Sequence, residues 1–147
     1  MPRNAIKKGT IIMEIKEVKI TTATKSGEKK QVSVMLGYCF ATEISYKILA
    51  EEDIHDFIKV AIECIQDNRM PDTRKSIFLI VAAMQAYYES IGKKAPLTDK
   101  DLMYHMTVAE MGTAVGTIIG LYLEANKSPK GEVDEQEKKE AGESKNA

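Results

Sequence analysis

Apolar and polar positions change rhythm near residue 37, and that change divides the chain into a strand-forming part and a helix-forming part. In "TIIMEIKEVKI", at residues 10–20, Ile11, Met13 and Ile15 alternate with polar neighbours, and Val18 and Ile20 resume the alternation after a phase change at Glu17. A period of two is the signature of a strand with one buried face. The stretch "TTATKSGEKK" carries Ser26 and Gly27 as turn formers, and "QVSVML" alternates again, so residues 10–36 are expected to form a β-hairpin.

Beyond Gly37 the spacing becomes helical. Phe40, Ile44 and Ile48 recur every fourth residue, with Glu43 and Lys47 on another face, and this helix should end near "AEED". Asp53 is a good N-cap for a second helix, whose stripe is Ile54, Phe57, Ile58, Ala61 and Ile65. Pro71 interrupts it, and Asp72 or Thr73 can cap the third. Over residues 77–91, Ile77, Ile80, Val81, Met84, Tyr88 and Ile91 share a stripe, while Phe78, Leu79, Ala82 and Ala83 fill much of the remaining circumference. A helix apolar nearly all round belongs at the centre of a bundle, and Gly92 supplies its C-terminal cap. Thr98 with Asp101, then Thr107 with Glu110, are successive capping boxes, so a short helix leads into a longer one that ends near Ala125. The fold class is α+β, mainly α: one domain over residues 1–126, with a hairpin (10–36) and a bundle of four to five helices (37–126). Residues 127–147 are rich in Lys, Glu and Gly with a single Val133, and are expected to be a disordered tail.

Composition narrows the function classes. A net charge of -1 lacks the broad positive field that nonspecific nucleic-acid binding uses, so nucleic acid is not expected as a partner. No membrane span is expected, because no uncharged stretch is longer than residues 111–123, which fall short of the roughly 20 residues a bilayer needs. "MPRNAIKKGT" has no apolar run of signal-peptide length, and Cys39 and Cys64 are not spaced as CxxC, so an intracellular chain with free thiols is expected.

No catalytic constellation is visible. His55 and His105 form no HxxxH pair, and the acidic group Glu51, Glu52, Asp53 and Asp56 lies at a helix start, where the dipole favours negative charge. No GxSxG, P-loop or GxGxxG motif is present. The expectation is a non-enzymatic protein with no metal and no cofactor. Its most informative positions are Gly112, Gly116 and Gly120, each costing a helix interior about 1 kcal/mol relative to alanine. Such a row permits close helix approach, either to the helix at 77–91 or to another protein. Tyr87 and Tyr88, with Met103, Met106 and Met111, are either core or the lining of an adaptable groove.

Four segments, "FATEISYKILAEEDIHDFI", "RKSIFLIVAAMQAYYES", "KAPLTDKDL" and "VAEMGTAVGTIIGLYLEANKSP", together resemble the tail assembly chaperones of long-tailed bacteriophages. The likeness covers residues 36–129, with Pro96, Leu97, Thr98 and Asp101 as its most recognisable short motif. It implies a phage- or prophage-encoded, mostly helical protein of the bacterial cytoplasm that binds the tape measure protein and recruits tail tube subunits. It further implies absence from the finished particle, and a longer frameshifted product that would extend the charged tail. The hairpin and the glycine row lie outside what the family implies. Two alternatives stand beside it: a structural or adaptor protein that self-associates through the glycine strip into a homo-oligomer, and a helix-turn-helix regulator using residues 98–120. The second is opposed by the lack of basic residues over residues 101–123.

Overall fold

A computed structural model describes residues 13–127. Two antiparallel strands, β1 (Glu14–Ala23) and β2 (Lys29–Tyr38), are followed by α1 (Phe40–Ala50), α2 (Ile54–Gln66), α3 (Thr73–Ser90), α4 (Asp99–His105) and α5 (Val108–Ala125). The mainly helical α+β architecture expected from the sequence is therefore the observed one. The tail expected at residues 127–147 lies, apart from Lys127, outside the described residues, as do residues 10–12 of the hairpin.

The hairpin pairs Glu14 with Tyr38 at one end and Ala23 with Lys29 at the other. In this register Val18 faces Val34 and Ile20 faces Val32, which puts the β-branched positions of both strands on one face. That face is buried through Val18, Ile20, Val34 and Leu36. The phase change at Glu17 has a clear cause: Met13 and Ile15 belong to the opposite face, where the Met13 sulfur lies over Gly37 so closely that a Cβ there would clash with it. Gly27 takes φ +91°, a conformation open to glycine, and turns the connection.

α3 is the hub. It packs against β2, α1, α4 and α5, and its buried residues go nearly all the way round, from Ile77 and Leu79 to Ala83 and Met84. Asp72 caps it, accepting from the Lys75 backbone N–H at 2.9 Å, and Gly92 ends it at φ +74°. Only Ile91 leaves the expected stripe and faces water. α2 buries Ile54, Phe57, Ile58 and Ala61 as expected, while Ile65, in its last turn, is exposed. Phe57 meets the Tyr46 ring of α1 at 5.7 Å between centroids.

Both capping boxes form. Glu110 does more than cap. Its carboxylate accepts from Thr107 N (3.1 Å), Thr21 N (2.9 Å), Thr21 Oγ1 (2.7 Å) and Gln31 Nε2 (3.3 Å), so the first turn of α5 is tied to the hairpin. Desolvation pushes this carboxyl upward, but the hydrogen bonds from Thr21, Thr107 and Gln31 outweigh it and hold it below its ordinary value.

Candidate interaction surfaces

The helix α1 corrects the sequence pattern. Its Phe40, Ile44 and Ile48 stripe does not enter the core: these side chains are 80%, 61% and 72% exposed. The buried face is instead Thr42, Tyr46 and Ala50. The reason is local. Thr42 Oγ1 donates to the Gly37 carbonyl at 2.9 Å and accepts from Cys39 N at 3.1 Å, which fixes the rotation of the helix as it leaves β2. At the other end Glu52 receives Lys75 Nζ at 2.5 Å and the Tyr46 hydroxyl at 3.5 Å, so the face bearing Tyr46 is held against α3. Burial and this acceptor push the Tyr46 phenol far above its usual range, keeping it a donor. An aromatic and two β-branched side chains are thus turned to water by polar contacts on the far side of the same helix.

The glycine row of α5 is also outward. Its buried residues are Met111, Ala114, Val115, Ile118, Ile119 and Leu121, on the opposite face. Among the described residues, an added Cβ at Gly116 or Gly120 meets nothing within 4 Å, and at Gly112 it meets only the Met70 methyl, at 3.9 Å. Close packing against α3 is therefore not why these glycines are there. Val108 and Leu123 flank them as exposed apolar residues, and between Glu110 and Glu124 the helix has no charged side chain.

The tyrosines and methionines do not converge on one groove. Tyr88 accepts from the Met35 N–H of β2 at 3.0 Å, with Tyr87 edge-on to it at 4.9 Å. Met111 is buried, Met106 packs against the core from its edge, and Met103 points outward on α4. Cys39 and Cys64 are free thiols, with Cys64 buried and Cys39 partly so.

One constellation had no counterpart in the sequence pattern. Tyr38 donates to the Glu43 carboxylate, which also lies 3.7 Å from His55 Nε2, while His55 Nδ1 is 2.7 Å from the Tyr122 hydroxyl. The rings of Tyr38 and Tyr122 meet edge-on at 5.5 Å. These four side chains come from β2, α1, α2 and α5, so no sequence spacing announces them. Burial first, then the bond to Glu43 and its charge, push the Tyr38 phenol far up; burial and the charges of Glu43 and Asp53 raise that of Tyr122. Both phenols stay protonated, which suits a clasp between elements and not a nucleophile. No serine, threonine or cysteine side chain bonds to the His55 ring among the described residues.

Among the described residues, no group of three or more His, Cys, Asp or Glu could hold a metal ion. No helix among them is long and apolar enough to cross a membrane. The chain matches no protein-family model, no curated protein and no solved structure.

Proposed function

We propose that this chain is a non-enzymatic assembly chaperone of a phage or prophage tail, binding the tape measure protein and recruiting tail tube subunits. The observation that carries the reading is the outward row Phe40, Ile44 and Ile48 on α1. Contiguous apolar patches of roughly 300–600 Å² are the largest that ordinary monomers expose and are often functional. A row repeating every fourth residue is the form in which one helix meets another. The resemblance of residues 36–129 to tail assembly chaperones is the support for taking the tape measure protein as the client.

The test locates the gene relative to tail genes and co-expresses the chain with the tape measure and tube proteins of the same phage or prophage. The tagged chain should retain the tape measure protein, and the double variant Phe40→Ser/Ile44→Ser should lose at least ten-fold of that capture with its helical circular dichroism unchanged. Failure of the wild-type chain to retain either protein, or a gene lying far from tail genes, overturns the reading.

A second reading is self-association through α5, favoured by the open space at Gly116 and Gly120. Two helices approach closely where neither carries a Cβ. Gly116→Leu would then reduce an oligomer to a monomer by light scattering; a wild-type chain already monomeric at high concentration removes this reading.

A further inference from the structure

The net charge of -1, which speaks against a nucleic-acid partner, is the average of two unlike parts. Residues 1–36 carry eight Lys and Arg against three Glu, whereas residues 37–147 carry 13 Lys and Arg against 19 Asp and Glu. A chain average conceals such a split. Among the described residues the positive excess falls on the turn-bearing half of the hairpin, where Lys19, Lys25, Lys29 and Lys30 are all exposed and Glu28 is the one acidic residue between positions 18 and 30. None of the four lysines is in an ion pair among the described residues.

The strand register gathers these charges on an accessible ribbon. Val18, Ile20, Val34 and Leu36 turn one face into the core, so the alternate positions form the other face, with Lys19 opposite Ser33, Thr21 opposite Gln31, and Ala23 opposite Lys29. Lys19, Lys29, Gln31 and Ser33 are exposed there. At about 3.3 Å per residue, Lys19 and Lys29 stand about 13 Å apart along the ribbon. Phosphates step by about 3.4 Å along each strand of a duplex, so the two lysines meet different ones. Glu110, the carboxylate that touches this face, is already occupied by donors from Thr21, Thr107 and Gln31.

The surroundings select among polyanions. A lipid surface is held by cations together with apolar side chains that enter the acyl boundary, and among the described residues the hairpin exposes no large hydrophobic side chain. An acidic peptide added as a third strand needs free amides along a margin. Both margins are interrupted, at the Thr21 N–H by Glu110 and at the Met35 N–H by the Tyr88 hydroxyl. B-form DNA asks for neither, since its major groove, about 12 Å wide, admits a two-stranded ribbon, and its phosphates are met by lysines alone. The acidic excess over residues 37–147 repels those same phosphates, which leaves the hairpin as the side of approach.

We propose that the hairpin is a DNA-contacting ribbon, its Lys19 and Ser33 face turned into the major groove of a B-form duplex and Lys19, Lys25, Lys29 and Lys30 on phosphates. Contacts of this kind fix position and supply affinity with little dependence on sequence. The ribbon and the exposed α1 row are separate surfaces, so this assignment and the chaperone reading can fail independently.

The experiment follows the anisotropy of a labelled duplex of about 24 base pairs as the full chain is added. Saturable binding is expected with Kd of about 1–100 µM near physiological salt, and with a log–log salt slope of about -3 to -4 for four phosphate contacts. Lys19→Gln/Lys29→Gln should weaken it about ten-fold and reduce the slope by about 2, whereas Lys93→Gln/Lys94→Gln, the same loss of charge on the helical part, should change it less than about two-fold. Unchanged circular dichroism and thermal midpoint establish that the variants fold; if the first pair does not, Lys25→Gln/Lys30→Gln takes its place with the same expectation. Absence of saturable binding at about 50 mM salt overturns the proposal, and equal losses from the hairpin and helical pairs overturn the hairpin as the site. Equal affinity for an RNA duplex, whose major groove is too narrow for side chains to read, overturns the groove placement. Tighter binding to phosphatidylserine vesicles or to polyglutamate than to the duplex overturns the choice of DNA.

Discussion

α1 and α5 both turn an uncharged row to water, but the rows are made of opposite materials. On α1 the outward positions are Phe40, Ile44 and Ile48; on α5 they are Gly116 and Gly120, with Val108 and Leu123 at the ends. The first row offers apolar area and gains free energy when covered. The second offers almost none, and its use is the short distance at which another backbone can lie. Exposed hydrophobicity and exposed absence of side chain are therefore two different invitations, and only the first favours capture of a client by area alone.

The comparison is sharpest where inner and outer faces of α5 are set against each other. Ile118→Ala, at a fully buried inner position, should cost about 2–5 kcal/mol in urea unfolding, since the removed atoms leave a cavity. An effect below about 1 kcal/mol would mean that α5 is not held by that face.

Glu110→Gln should come next, at about 1–2 kcal/mol, because a charge-assisted acceptor serving Thr21, Thr107 and Gln31 is weakened. The sign with pH follows from the lowered folded-state value. The stabilisation is fully present above the ordinary carboxylate range near 4.3, and is lost as pH falls through the lower folded value. Denaturation midpoints of wild type and variant should thus converge in acid; a gap that stays constant down to pH 2 would assign the loss to something other than this charge.

Gly116→Ala should stabilise the monomer by about 0.5–1 kcal/mol, because a helical alanine loses less backbone entropy on folding and none of the described residues lies in its way. If the gain turned to a loss on raising the protein concentration, self-contact through α5 would be the cause. The smallest effect belongs to α1: Ile48→Ser should shift the thermal midpoint hardly at all, within about 0.5 kcal/mol, in keeping with an exposed site. A loss of 2 kcal/mol would show that the row packs on its own chain.

Much of this architecture was legible because local chemistry and packing agreed. The two capping boxes, Gly92, and the all-round apolar circumference of α3 each have a mechanism within a few residues, and each is found where expected. The rotation of α1 was not legible, because both of its faces carry apolar residues at helical spacing. Thr42 bonding back to Gly37, and Glu52 reaching Lys75 across 23 positions, chose between them. The clasp of Tyr38, Glu43, His55 and Tyr122 is a tertiary assembly, drawn from elements that no single window of sequence contains.

Glu110 has one more consequence. A two-stranded ribbon leaves amide groups along its outer margin, and such margins template addition of a further strand from another molecule. Here α4 and α5 lie against β1, and the Thr21 N–H is already engaged by the Glu110 carboxylate. An incoming strand would have to displace that carboxylate before it could pair with the Thr21 amide, which disfavours sheet extension at this point of the margin.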